Sequence, residues 1–258
     1  MTPEEINARV KPRARNNFKT GPAGVRHSFG VHSPLDRMFF GLKINQTVGL
    51  FIRESRMSSK GALTRQKIIE KSMQLFSLKG YFNTSIADIV KETGLTKGCL
   101  YGHFRNKEEI WYAVYDECVR VWKRVVFQGV RDIPNPLKRI ERVIENSLKN
   151  YLGAEVFQGG CLLLNSLVDL AGQSPTMSNH VLEGFTGFTE LLHLWLEEAD
   201  RQGLLRDDLN HREIANFIVV SLNGAAPLYA ASKDPAVWQH TLSQLHFYIK
   251  SLRNQTKP

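Results

Sequence analysis

Cysteine is scarce in this chain: three residues among 258, Cys99, Cys118 and Cys161, with no CxxC pair and no ligand-like spacing to the eight histidines. A disulfide framework and a structural zinc are therefore not expected, nor is any other metal or cofactor, and a reducing compartment fits. Long apolar runs are lacking as well. No stretch approaches the roughly 18 uninterrupted apolar residues of a membrane span, and the opening MTPEEINARVKPRARNNFK has no apolar signal-peptide core. A cytoplasmic protein without a membrane partner is expected. Strand-like alternation, internal repeats, a phosphate-binding loop and a nucleophile-base pair are also missing, so an enzyme reading finds no site to rest on.

Acidic residues are sparse only in part of the chain. Residues 1–56 carry 10 Lys and Arg against 4 Asp and Glu, residues 57–110 carry 9 against 5, and residues 111–258 carry 15 against 16, within a formal net charge of +9. The excess sits N-terminally, which argues for a localised polyanion-binding head and against a protein that coats DNA with its whole surface. Residues 1–56 hold four of the ten prolines (Pro3, Pro12, Pro22, Pro34) and no sustained period. Two readings stand for them: a disordered arm whose Arg9, Lys11, Arg13 and Arg15 add phosphate contacts, or an extension that arises from a start upstream of Met57.

The densest information lies in Thr84–Ile110, TSIADIVKETGLTKGCLYGHFRNKEEI. Ser85 with Asp88 three residues on is a capping box, and Gly94 stands where a left-handed residue ends a helix. Thr96 offers a second N-cap three residues after Thr93, and Asn106 with Glu109 a third. Two short helices this close make a helix-turn-helix, whose second helix enters the major groove N-terminus first. Lys97, Gly98, Cys99 and Tyr101 occupy that end. Gly98 would let backbone approach DNA, while Tyr101, His103 and Thr84 would reach phosphate oxygens and Lys107 would clamp another beside a helix N-terminus. Upstream, Thr64 is expected to cap a helix with an apolar stripe from Ile68 to Phe76, and Tyr81 and Phe82 to seal a three-helix head.

The segments TRQKIIEKSMQLFSLKGY, FNTSIADI and GLTKGCLYGHFRNKEEI together resemble the DNA-binding domain of the tetracycline-repressor (TetR) family of bacterial transcription regulators. The resemblance implies an all-α fold with a helix-turn-helix domain over residues 57–110 and a helical ligand-sensing and dimerisation domain over 111–258. It places Thr84, Thr96, Lys97, Gly98, Cys99, Tyr101, His103 and Lys107 at or near DNA. Val90, Thr93 and Cys99 depart from the family's commoner residues, and of these only Cys99 would alter base preference. An oxidisable switch at Cys99 is weaker than a packing role, since Lys97 alone would lower its pKa.

Beyond Ile110 the period stays helical. Asn135-Pro136, Ser174-Pro175 and Asp234-Pro235 each set a capping side chain before a proline, and Asn210 with Glu213 adds a capping box. The expected helices run near 107–128, 136–152, 161–172, 175–202, 211–231 and 235–253, the fifth kinked or broken at Pro227. In that helix Phe217, Ile218, Leu222 and Ala225 belong to an apolar surface on two sides. In the last, Trp238, Leu242, Leu245 and Ile249 step like a coiled-coil seam. The resemblance implies that this pair forms a homodimer's four-helix bundle on a near-palindromic operator.

The segment FQGGCLLLNSLVDLAGQSP resembles a stretch of some TetR-like sensing domains, with Cys161, Asn165 and Asp169 along one helix. Asn165 and Asp169 either offer polar groups to a small-molecule effector or bridge helices in the core. Trp122, Tyr151, Phe157, Phe185 and Phe188 line the same pocket or are core. Glu197, Glu198 and Asp200 read as a solvated helix face. The expected function is a homodimeric repressor released from its operator by an effector; an activator or an effector-independent regulator remains open.

Overall fold

The computed structural model describes residues 60–157 and 159–254. The extension over residues 1–56, with the proposed start at Met57, lies outside the described residues. Helix α1 (Lys60–Lys79) buries Ile68, Ile69, Ser72 and Phe76. Thr64 does not cap it; the helix begins a turn earlier and the Thr64 hydroxyl donates to Lys60 O inside it. Gly80 closes α1 at φ 79°, a left-handed conformation that glycine adopts without strain.

Helix α2 (Ile86–Thr93) has the expected capping box, with Asp88 N donating to Ser85 Oγ at 3.1 Å and Ser85 N to Asp88 Oδ2 at 2.8 Å. It ends on left-handed Gly94. Helix α3 (Lys97–Tyr101) is capped by Thr96, whose hydroxyl accepts from Cys99 N at 3.2 Å. Helix α4 (Lys107–Val126) is capped by Asn106, but the Glu109 carboxylate returns to Arg105 N rather than to the cap residue. Its first half completes the head, with Ile110, Trp111 and Val114 buried against α1. The expected boundary at residue 110 therefore falls inside a continuous helix.

Helix α5 (Pro136–Glu145) starts at the Asn135 cap and widens into a π-turn segment over Asn146–Leu152. Buried Asn146 donates to Val126 O at 2.9 Å and Gln128 O at 3.0 Å, so its amide satisfies carbonyls at the C-terminal end of α4. Helices α6 (Leu162–Leu170) and α7 (Pro175–Arg201) follow, then α8 (His211–Ser232) and α9 (Ala236–Ser251). Asn210 accepts from Arg212 N and Glu213 N at the start of α8. Ser174 makes no side-chain cap, and Asp234 accepts from Ala236 N at the start of α9.

Helix α8 runs through Pro227 without breaking, and Pro227 lies on its exposed side. By length and composition this helix could cross a membrane, but it packs on α7 and α9 as a core element. Glu198 is not a free solvated charge, since Arg139 binds it at 2.8 Å. Among the described residues there is no strand, only an isolated bridge from Leu205 to Arg253.

Candidate nucleic-acid interface and cavity

The head presents the N-terminal end of α3 to solvent. Thr96, Lys97, Gly98 and Tyr101 are exposed and Cys99 and His103 half-buried, while Leu100 and Phe104 anchor the motif from below. A Cβ at Gly98 would meet nothing within 4 Å, so the fold does not require glycine there. A helical glycine costs about 1 kcal/mol relative to alanine, a cost for which packing within the head gives no reason.

Two residues expected at DNA are used elsewhere. Thr84 is fully buried and its hydroxyl donates to Gly80 O at 2.7 Å, which removes it as a phosphate donor. The Lys107 ammonium donates to Tyr81 O and Thr84 O, each at 2.9 Å, and lies 4.2 Å from the centre of the Tyr81 ring. Burial pushes its pKa down and the nearby Asp169 carboxylate opposes that shift. Lys107 is thus a staple for the turn between α1 and α2, not a phosphate clamp. Tyr81 packs on Phe76 as expected, whereas Phe82 remains exposed.

Below the head lies a cavity of about 650 Å³. Its walls are Tyr115, Val119, Trp122 and Lys123 of α4, Ser147, Tyr151 and Leu152 of the π-turn, Cys161 and Leu163 at the start of α6, and faces of α7 and α8. Trp122 meets Phe127 and Phe188 edge-on at 5.5 and 5.0 Å. Burial, chiefly, pushes the Tyr115 phenol up to about 12. Of the expected pocket residues, Trp122, Tyr151, Cys161, Phe185 and Phe188 lie on the wall. Phe157 does not; it packs edge-on against Tyr151 from behind. Tyr115, Lys123, Ser147 and Asn223 were missed, although Tyr115, Val119 and Trp122 share one helical stripe and Ser147 stands four residues before Tyr151.

Asn165 and Asp169 face away from the cavity and bridge segments instead. Asn165 Nδ2 donates to Gly159 O at 2.7 Å, and Gly159 itself seats against the Ser77 carbonyl of α1, where a Cβ would collide. Asp169 Oδ2 accepts from Tyr81 N at 2.7 Å, and a Cβ on Gly80 would approach that same carboxylate to 2.9 Å. Helix α6 therefore has its start in the cavity wall and its end on the turn that Lys107 staples.

The expected seam of α9 faces inward. Leu245 and Ile249 are buried, Leu242 is half-buried, and Trp238 packs over Gly153 next to the π-turn. On α8, Ile218, Leu222 and Ala225 are likewise buried in their own subunit, Leu222 on the cavity wall. Of the eight expected interface residues Phe217 is half-exposed, and Ala225 and Leu245, though buried, line the outer groove between α8 and α9. The apolar surface actually presented runs over Phe217, Val220 and Leu228 of α8 and Phe247 of α9, with Val220 and Phe247 each 69% exposed. A shallow groove with Gly224 and His240 on its walls lies along it.

Residues 68–114 match the model of the bacterial regulatory proteins of the tetR family, and residues 136–245 that of the tetracyclin repressor-like C-terminal domain. The transcriptional repressor DhaR of Mycobacterium sp. (strain GP1) is 29% identical over 164 residues, 62% of this chain and 79% of that protein. The repressor BepR of Brucella suis is 24% identical over 170 residues, 66% of this chain and 81% of its own. Among solved structures, a TetR transcriptional regulator from Chloroflexus aurantiacus superposes with TM-score 0.71 at 23% identity, covering 76% of this chain and 98% of the other. A TetR-family regulator from Cytophaga hutchinsonii gives 0.68 at 26%, covering 78% and 100%.

Proposed function

Because the chain belongs to the tetracycline-repressor family of DNA-binding transcription regulators, we propose that it is a homodimeric cytoplasmic repressor that a small molecule releases from a near-palindromic operator. The observation that carries this reading is helix α6, which begins at Cys161 in the cavity wall and ends with Asp169 on the backbone of the head. A ligand that reshapes the wall reaches the reading head through one rigid element. It needs only to bind the DNA-incompetent arrangement better.

In this proposal Lys97 and Tyr101 hold phosphates while Thr96 and Cys99 meet base edges. A second copy covers the outward apolar face of α8 and α9, where Phe217, Val220, Leu228 and Phe247 stand in water otherwise. Two-fold pairing through that face sets two α3 helices roughly 34 Å apart, one turn of DNA. The full chain should sediment as a dimer and prefer its own promoter over shuffled DNA at moderate salt. Val220→Glu with Phe247→Glu should yield a folded monomer that has lost that preference. A double variant that stays dimeric, or wild-type binding without preference, would refute it.

A further inference from the structure

Tyr115 stands in the cavity wall and against the core of the head at once. Its ring stacks on Trp111, with centroids 5.5 Å apart and planes at 26°, and Trp111 is buried where α4 packs on α1. Another side of the ring meets α7. It lies 4.7 Å from the His180 imidazole, which Tyr112 and Trp111 also contact edge-on at 5.3 and 6.5 Å. His180 thus sits in a bracket of three aromatic side chains from α4, at separations where ring pairs hold a preferred geometry. The phenol hydroxyl turns to the same residue, 3.4 Å from His180 O.

Gly184, one turn further along α7, shows how closely the phenol is fitted. Glycine weakens a helix interior. Outside its own stretch of helix, and among the described residues, a Cβ at this position would meet one atom within 4 Å, the Tyr115 hydroxyl oxygen at 2.7 Å. The missing side chain therefore makes a notch for that oxygen, and Gly184 is itself part of the cavity wall. Trp111, His180 and the notch hold the ring on its other sides, which leaves the cavity as the side from which it can be pushed. A packed core of this kind gives way by switching arrangement more than by deforming.

We propose that Tyr115 is the positioning residue through which the contents of the cavity set the head. With its phenol in the Gly184 notch it keys α7 to α4 in the DNA-binding arrangement, and a ligand that presses the ring out of the notch disturbs the Trp111 stack and frees His180. This assignment rests on the reading of the cavity as the effector site, and it adds a direct path along α4 to the one through α6.

No ligand is needed to test it, because a side chain at residue 184 does the pressing. Gly184→Ala sets a methyl group against the phenol oxygen, and Tyr115→Phe in the same chain removes the oxygen that it meets. Full-length dimers, checked by sedimentation, are titrated with labelled DNA of their own promoter, and hydrogen exchange of the α1 amides is followed without DNA. Gly184→Ala should bind the promoter about tenfold more weakly, the low end of what overpacking a filled site costs. Exchange in α1 should quicken, and the double variant should recover most of both effects. Gly184→Val should weaken binding at least as far. A Gly184→Ala dimer that binds the promoter as wild type does, even with a lower unfolding midpoint, would overturn the assignment and mark the notch as packing alone. So would a loss that Tyr115→Phe fails to recover. If exchange in α1 responds and recovers as expected while wild-type protein shows no preference for its promoter, the repressor reading fails and the link from cavity wall to head stands.

Discussion

Replacing Asp169 by alanine removes one carboxylate and nothing from the cavity wall. The lost bond is the 2.7 Å contact from Tyr81 N, made by an ionised acceptor. Such bonds contribute about 1.5–3 kcal/mol, and the site is only half-buried, so the low end, about 1.5 kcal/mol, applies. Lys107 loses the charge that offsets its burial, which loosens its hold on the same turn. If α6 transmits the effector's signal through this bond, about 1.5 kcal/mol of coupling disappears, roughly a tenfold drop in the effect of ligand on operator affinity.

Fluorescence anisotropy with labelled operator, with and without ligand, measures that ratio directly. Asp169→Asn keeps an acceptor oxygen and should retain part of the coupling. The variant's affinity for ligand alone should match wild type, because no cavity-wall atom changes. An Asp169→Ala protein with normal ligand binding, normal operator binding and an unchanged ratio between the two would refute the argument. Coupling would then run through α4 or through the Gly159–Ser77 contact instead.

Two lysines of the head should part company in salt titrations: Lys97→Met should lower the slope of log K against log salt by about 1, whereas Lys107→Met should weaken binding to every sequence with the slope kept. Lys107→Met should also lower the midpoint of thermal unfolding. Hydrogen bonds from the Ser85 side chain, then its backbone, depress the Asp88 pKa. A depressed folded pKa gives stability that is present above the unfolded value, about 3.9, and is lost as pH falls through the folded one. An NMR titration of Ser85→Ala should therefore find Asp88 moved up towards 3.9; an unmoved value would mean that the cap bonds do not set it.

Local rules carried several of the helix ends. Ser85 with Asp88, Gly94, Thr96, Asn106 and Asn135-Pro136 each act on backbone a few residues away, and the structure places them as their spacing indicates. What periodicity could not reveal was direction. Leu242, Leu245 and Ile249 form a genuine stripe, but a stripe states that a helix has an apolar neighbour and not whether that neighbour is in the same subunit. The second apolar side of α8, to which Val220 belongs, was legible in the sequence, whereas Phe247 was hidden because an isolated apolar residue on a polar side looks unremarkable. Lys107 and Asp169 bond to backbone brought close by tertiary folding, 23 to 88 residues away, which spacing does not reveal; Thr84 turns back on Gly80 O, four residues away. The π-turn likewise has no spacing signature, and with it Ser147 went unseen.

Helix α4 passes from the head into the cavity wall without a joint, and its 20 residues give it a fixed phase. One residue inserted near its middle would turn everything beyond by about 100° and advance it by about 1.5 Å. Neither the residues of α3 nor those of the cavity would change, yet α6 would no longer meet Tyr81. A hybrid regulator that exchanges sensing halves must therefore splice inside this helix in register, with no residue added or removed.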